Sequence, residues 1–377
     1  MSDLVKLRYV QFLLIFKNGL LGLFAKILFQ RRERFLKILV FRTGSIGDNI
    51  CALPAVVAIR RHFTGAEIHI LTTAGLQSPV SMSRLLSEEY YDKLIDYEGY
   101  SRRELFKHVR GNRYDLVIEL PQNMVQFWPM IRNMLFFRLA GIKSGWGWEV
   151  STIFSFRQVQ ERLVRFPSET ERLLNILLKN GVMIKPERAY PLRITKKDID
   201  SVEELMALKR VENPTRNSMI ALVPGAKRPQ NRYPLERYIE LARWLVSRGY
   251  SVLVVGGADD VGRGLKLEEV EGVYSFAGLL SPIESAVLLS RCHYAISNDT
   301  GPMHLAYAVG TPVLAIFSAR DFPNKWFPPP GKSKTLRNYD IHCSLCFSET
   351  CADNICMKGI SLDEVKAAFV EFEKSTR

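Results

Sequence analysis

Asn298-Asp299-Thr300-Gly301-Pro302-Met303-His304 lies between two short apolar runs, Tyr294 to Ser297 and Thr311 to Phe317. This arrangement narrows the choice of folds more than any other stretch of the chain. Both runs are short and largely apolar, the mark of strands buried on both faces. Pro302 suits the first position of a helix, where a missing N–H costs nothing, and Gly310 suits the helix end. A strand, a tight polar loop, a helix and a second strand are the repeating unit of a parallel sheet. In such a unit the unpaired N–H groups and the positive end of the helix dipole face an anion above the sheet, and a diphosphate is the natural occupant. Asp299 and His304 crowd that mouth. The same residues also suit a plain, well-capped strand–helix connection, so the stretch by itself leaves site and scaffold both open.

A chain of 377 residues is longer than one domain of roughly 100–200 residues, so two domains are expected. Hydrophobic residues at 47% and charged residues at 24% allow a sizeable core. The net charge of +13 favours an anionic partner: nucleic acid, a phospholipid surface or a phosphorylated substrate. No aromatic RNA-binding motif, zinc-finger spacing or basic region with heptads is present, which argues against nucleic acid. Of six cysteines, Cys51 and Cys292 read as core, whereas Cys343, Cys346, Cys351 and Cys356 cluster near the end. That is no secreted disulfide framework, and a reducing compartment is expected.

Residues 1–35 differ from the rest. They are rich in Leu, Phe and Ile, and carry Lys6, Arg8, Lys17, Lys26, Arg31, Arg32 and Arg34 against Asp3 and Glu33. Charges interrupt the segment, so no uncharged run nears the ~20 residues of a spanning helix. No clean apolar core precedes a small-residue cleavage site, unlike a signal peptide. The expectation is a helix, broken near Gly19 and Gly22, lying in a membrane surface with its basic end against anionic headgroups. The alternative is a helix packed on the first domain. Lys6 and Lys17 fall on one side of it and Arg8 and Lys26 on another, so no single polar face emerges.

Strands then alternate with helices. Leu36 to Phe41 reads as a strand, followed by the loop Arg42-Thr43-Gly44-Ser45-Ile46-Gly47-Asp48 and a helix from Asn49 to Phe63 with Pro54 in its first turns. Glu67 to Leu71, Asp115 to Leu120 and Lys143 to Trp148 are further strands. Breaks at Pro186 to Pro191 and at Asn213-Pro214 place a boundary near 190–215. Met219 to Val223 opens a second α/β unit, with a loop from Pro224 to Pro234 and a helix from Leu235 to Arg248. Ser281-Pro282-Ile283-Glu284 is a capping box. After Phe317 the chain reads as irregular until a helix from Leu362 to Glu373. The expected organisation is 1–35, a basic apolar segment; 36–195, a first doubly wound domain; 215–342, a second; and 343–377, a cysteine-bearing tail and helix. Ligands of such sheets bind beyond the carboxyl ends of the strands, here in the cleft expected between the two domains.

Three segments together match one family: Arg42 to Asp48 with Leu53-Pro54; Pro224-Gly225-Ala226 with Tyr233-Pro234; and Asn298 to Pro312 with Phe317. On these, the chain from Leu36 to the C-terminal helix resembles glycosyltransferase family 9, the ADP-heptose:lipopolysaccharide heptosyltransferases. The resemblance implies a GT-B fold of two Rossmann-like domains facing across a cleft, with acceptor on the first and nucleotide-sugar donor on the second. It also implies an inverting transfer, no cofactor and no essential metal. The implied partners are ADP-heptose or a related donor and an anionic glycolipid acceptor, at the cytoplasmic face of the inner membrane. The implied base is Asp48, on an acceptor-side loop with Arg42, Gly44 and Gly47; the competing role of Asp48 is to cap the following helix. Asp299, Thr300, Gly301 and His304 would hold the donor phosphates. Relatives often carry a lysine where this chain has Asn231, so the positive charge would come from Lys227, Arg228 or Arg232. Asp259 and Asp260 suit either a ribose hydroxyl or a solvated turn. Cys343, Cys346, Cys351 and Cys356 could hold a structural zinc or iron–sulfur cluster, but their spacing is not a paired CxxC knuckle, and reduced thiols are the preferred reading. The competing functions are a nucleotide-sugar epimerase or hydrolase, and a non-catalytic, membrane-associated binder of nucleotide sugars.

Overall fold

The computed structural model describes residues 3–376 apart from 74–80, 154, 157, 158, 160–162, 186, 187, 213 and 340. The chain breaks read at Pro186 and Asn213 therefore lie outside the described residues. The chain divides into two units, Met1–Pro191 and Leu192–Arg377.

Unit 1 contains α1 (Asp3–Leu28), β1 (Lys37–Phe41), α2 (Ile46–His62), β2 (Glu67–Thr72), β3 (Lys93–Asp96), α3 (Arg102–Asn112), β4 (Leu116–Glu119), α4 (Phe127–Leu139), β5 (Ser144–Trp146) and α5 (Glu169–Lys179). Its five strands are parallel, in the order β3-β2-β1-β4-β5. Unit 2 contains α6 (Lys196–Leu208), β6 (Met219–Val223), α7 (Leu235–Ser247), β7 (Ser251–Val254), α8 (Val261–Glu268), β8 (Val273–Ser275), α9 (Pro282–Ser290), β9 (Tyr294–Asn298), α10 (Gly301–Ala308), β10 (Val313–Phe317), β11 (Ser333–Arg337), α11 (Ile355–Lys358) and α12 (Leu362–Thr376). Its six parallel strands run β11-β10-β9-β6-β7-β8. Both sheets are doubly wound. The strand order reverses between β1 and β4 in unit 1 and between β6 and β9 in unit 2, and each reversal opens a crevice at the strands' carboxyl ends.

The central strands are buried throughout, which is why they read as unbroken apolar runs: every residue of β6, β9 and β10 is buried. The sequence reading named no element at β3, α4, α8 or β8, and elsewhere the structure departs from it as follows. Helix α1 runs unbroken through Gly19 and Gly22. Leu14, Leu21, Ala25 and Leu28 pack against the unit 1 core, and Asn18 donates to the Val150 carbonyl (2.9 Å) and accepts from the Val150 N–H (2.8 Å). That docking outweighs the roughly 1 kcal/mol each glycine costs a helix. Helix α2 starts earlier than expected, so Pro54 falls in its interior and is buried. Ser333–Arg337, read as irregular, is an edge strand beside β10; its half-buried polar residues hide it from a hydrophobicity count. Helix α12 is no appendage: Val365, Phe369 and Phe372 join the unit 2 core, with Phe369 edge-on to Tyr294 at 5.4 Å. Each such side chain contributes about 1.5–3 kcal/mol by burial.

Candidate active site

In unit 1 the loop after β1 is built around Asp48. The Ser45 N–H and hydroxyl both donate to Asp48 Oδ2, at 2.9 and 2.7 Å. Asp48 is thus the third residue of a capping box at the start of α2, so the capping role weighed from the sequence is real. Its side chain remains 20% exposed, and Oδ1 lies 3.6 Å from Arg42 Nη2. Gly44 adopts φ +142°, and a Cβ there would lie 2.5 Å from the Asp48 Cβ. Only glycine lets the loop close this tightly over the carboxylate. Gly47 is buried inside the first turn of α2.

Arg42 begins this loop, which the sequence reading placed on the acceptor side. Its side chain is fully buried and stitches β1 to β4 across the strand reversal. Nη1 donates to the carbonyls of Leu120 (3.1 Å) and Pro121 (2.9 Å), and Nη2 to that of Asp48 (2.6 Å). Glu169, also fully buried, lies 3.5 Å from Arg42 and accepts two bonds from Arg172 (2.8 and 2.7 Å). Arg172 in turn donates to the Pro121 carbonyl. Asp48, Arg42, Glu169 and Arg172 therefore form one alternating chain of charge, and burial of these ions is tolerated because each meets an opposite partner. Glu119, at the end of β4, is a further buried carboxyl. Its Oε1 accepts from Asn133 Nδ2 at 3.0 Å, and burial pushes it up to about 8.

In unit 2, Asn298 stitches β9 to β6 in the same place: Nδ2 donates to the Pro224 carbonyl (2.8 Å), while Oδ1 accepts from the Tyr233 N–H (3.2 Å) and the Tyr238 hydroxyl (3.2 Å). Asp299 and Thr300 follow, half-buried, and Gly301 opens α10 with Pro302 in its first turn. The Thr300 side chain makes no capping bond to the helix. Asp299 Oδ2 accepts from Asn231 Nδ2 (3.0 Å), whose Oδ1 accepts from the Ser318 hydroxyl (2.7 Å). Burial, then the Asp321 carboxylate, push Asp299 up to about 7, against the opposing pull of Arg228, Arg320 and Arg337. His304 is buried rather than open at the mouth. Its Nδ1 pairs with the Tyr307 hydroxyl at 2.9 Å, and burial lowers it to about 4, so the ring is neutral at pH 7.

The three candidate cations differ. Lys227 and Arg228 are exposed, and Arg228 lies 3.5 Å from Glu349. Arg232 is half-buried, its Nε held by the Ala226 carbonyl at 2.7 Å; burial and Arg263 lower its pKa, while Asp260 and Asp259 raise it. Asp260 pairs with Arg263 at 3.2 Å and accepts from the Gly257 N–H, and a Cβ on Gly225 would lie 2.1 Å from its carboxyl. It is thus a pin between the loops after β6 and β7. Sequence reasoning missed Glu169, Arg172, Arg320 and Arg337. The available signal for the last two was position: Arg320 follows β10 and Arg337 ends β11, at carboxyl ends of strands. Cys343 is half-buried, Cys346 and Cys351 are exposed and Cys356 is buried. Among the described residues no group of three or more His, Cys, Asp and Glu side chains is placed to hold a metal ion.

Comparison with known proteins bears on these two crevices. The profile of glycosyltransferase family 9 (heptosyltransferase) matches residues 102–356. Lipopolysaccharide heptosyltransferase 2 of Escherichia coli K12 is 25% identical over 301 residues, covering 76% of this chain and 84% of that protein. Among solved structures, a family 9 glycosyl transferase from Veillonella parvula superposes with a TM-score of 0.71 at 19% identity, covering 91% of this chain and 99% of that one. The E. coli ADP-heptose lipopolysaccharide heptosyltransferase II superposes with a TM-score of 0.61 at 24% identity, covering 90% of this chain and all of that one (100%). Those likenesses identify the fold as GT-B, two Rossmann-like domains.

Proposed function

The chain belongs to glycosyltransferase family 9 (heptosyltransferase), and we propose that it moves a heptose, or a closely related sugar, from an ADP-sugar to an envelope glycolipid acceptor with inversion and without a metal. The names of its relatives supply the sugar and acceptor class: lipopolysaccharide heptosyltransferase 2, and an ADP-heptose heptosyltransferase. The acceptor hydroxyl attacks the anomeric carbon of the donor, a C–O bond forms there, and the bond from that carbon to the diphosphate oxygen breaks. Asp48 accepts the hydroxyl proton, so the negative charge passes to the departing nucleoside diphosphate. The first turn of α10, with the N–H groups and hydroxyl of Thr300 and Gly301, meets that charge together with Lys227, Arg228 and Arg232. Protonated Asp299 is compatible with a neighbouring phosphate, because burial raises its pKa to about 7 and leaves it mainly uncharged below that pH.

One observation carries this reading: a partly exposed carboxylate, fixed by Ser45 and faced by Arg42, stands at the carboxyl end of β1 beside the strand reversal. A lipid-borne acceptor also accounts for the basic, apolar N-terminal segment as a peripheral contact at the cytoplasmic face of the inner membrane. The test measures nucleoside diphosphate release from ADP-heptose with and without a lipopolysaccharide-core acceptor. Release should require the acceptor. Equal release without it would favour a hydrolase or epimerase, and no release with tight donor binding would favour a binding protein.

A further inference from the structure

Helix α1 has two apolar faces, and unit 1 covers one of them. Leu14, Asn18, Leu21, Ala25 and Leu28 follow one another at helical spacing and dock on unit 1. Half a turn away, Val5, Phe12, Phe16, Leu23 and Ile27 form a second line, all of them exposed. Between the two lines run two basic rows, Arg8 with Lys26 on one flank and Lys6 with Lys17 on the other. This resolves the missing polar face: the charges do not oppose a single apolar stripe but border an outward one. The outward line spans about 33 Å, from Val5 to Ile27, at 1.5 Å per residue.

Helix α4 packs against α1 and repeats the pattern. Met130, Met134 and Phe137 are buried, whereas Trp128, Leu135 and Leu139 share the outward side, at 74%, 43% and 69% exposure. Arg132 lies in the same outward row, exposed. Arg31, Arg32 and Arg34, just past the end of α1, are exposed as well. Apolar stripes bordered by long cationic side chains match an anionic bilayer, whose headgroups take the Lys and Arg tips while the acyl boundary takes the rings. By length and composition alone α1 could cross a membrane. The two bonds of Asn18 to Val150 and the buried Leu21 instead hold it along the rest of unit 1.

We propose that α1 and α4 together form a two-helix platform that lies flat in the interface of an anionic lipid bilayer, with Trp128 of α4 entering the headgroup–acyl boundary beside Phe12 and Phe16 of α1. The proposal extends the peripheral contact stated above from one segment to a composite surface. Its test uses no sugar substrate, so its failure is separable from failure of the transferase reading.

The experiment mixes the full-length protein with phosphatidylcholine vesicles, with or without about 30 mol% phosphatidylglycerol, some carrying brominated chains. Binding should require the anionic lipid and weaken with salt. Brominated chains should quench tryptophan fluorescence, and Trp128→Phe should remove most of that quenching. The Phe12→Glu/Phe16→Glu double variant should bind at least about tenfold more weakly with an unchanged unfolding midpoint. Alkaline carbonate should release the bound protein. Full vesicle binding with Trp128 unquenched would overturn the composite platform. So would carbonate-resistant insertion, the mark of a spanning α1. A concentration-dependent dimer, lost in the double variant and without vesicle affinity, would show that a second copy covers this face.

Discussion

The loop after β1 and the loop after β9 each flank the strand reversal of a doubly wound sheet, on opposite sides of it, and each presents an aspartate, yet their electrostatics differ. Asp48 faces the Arg42 guanidinium and ends a buried chain of alternating charges through Glu169 and Arg172. Asp299 faces the neutral amide of Asn231, has Asp321 nearby, and holds its proton up to about pH 7. Ser45 and the Arg42 guanidinium fix where the Asp48 carboxylate points. A carboxyl beside a diphosphate does best uncharged. The scaffold places both acids at a strand reversal, and the side chains that face each one set its surroundings.

The contrast can be broken first in unit 1. Glu169→Ala removes the shared partner of two buried arginines and should cost about 3–5 kcal/mol, lowering the denaturant midpoint. Loss of less than about 1 kcal/mol would mean that the ionic chain contributes little. Gly44→Ala comes next. A methyl 2.5 Å from the Asp48 Cβ must displace the carboxylate, so turnover should fall by about 10²-fold while donor affinity holds. Equal turnover would separate the loop geometry from the chemistry.

The smallest effect belongs to unit 2 and to pH. The folded pKa of Asp299, about 7, lies above its ordinary value of 3.8. Its contribution to stability is therefore complete below that ordinary value and is lost as pH rises through about 7. Donor affinity should follow, falling about threefold to tenfold across the same window as the carboxylate begins to repel the diphosphate. Asn231→Lys places a cation beside Asp299 and should flatten this dependence, a change calorimetric titration of ADP at pH 6 and pH 8 would detect. An identical profile in wild type and variant would remove Asp299 from the donor site.

Local chemistry was legible in the sequence. The Met219–Val223 strand, the Ser281 capping box, the Tyr294–Asn298 strand and the helix stop at Gly310 all follow from spacing and turn residues. The family could be recognised from three short segments. What could not be read depends on partners distant in the chain. Arg42 looks like a loop cation until Glu169 meets it, 127 positions later by subtraction of their numbers. Asn231 looks like a lost lysine until Asp299 and Ser318 take both ends of its amide, 68 and 87 positions away. No local periodicity encodes such pairings. The second apolar face of α1 escaped for a related reason: with Leu, Phe and Ile on two sides, the wheel shows no contrast until the folded domain covers one of them.

The central claim is that Asp48 works as a base in addition to capping α2, and Asp48→Asn tests it most directly. The amide oxygen can still accept from Ser45, so the unfolding midpoint and the donor dissociation constant should hold. Turnover in the presence of acceptor should fall by about 10²–10⁴-fold. A folded variant that turns over at the wild-type rate would leave Asp48 as a helix cap and contradict the account.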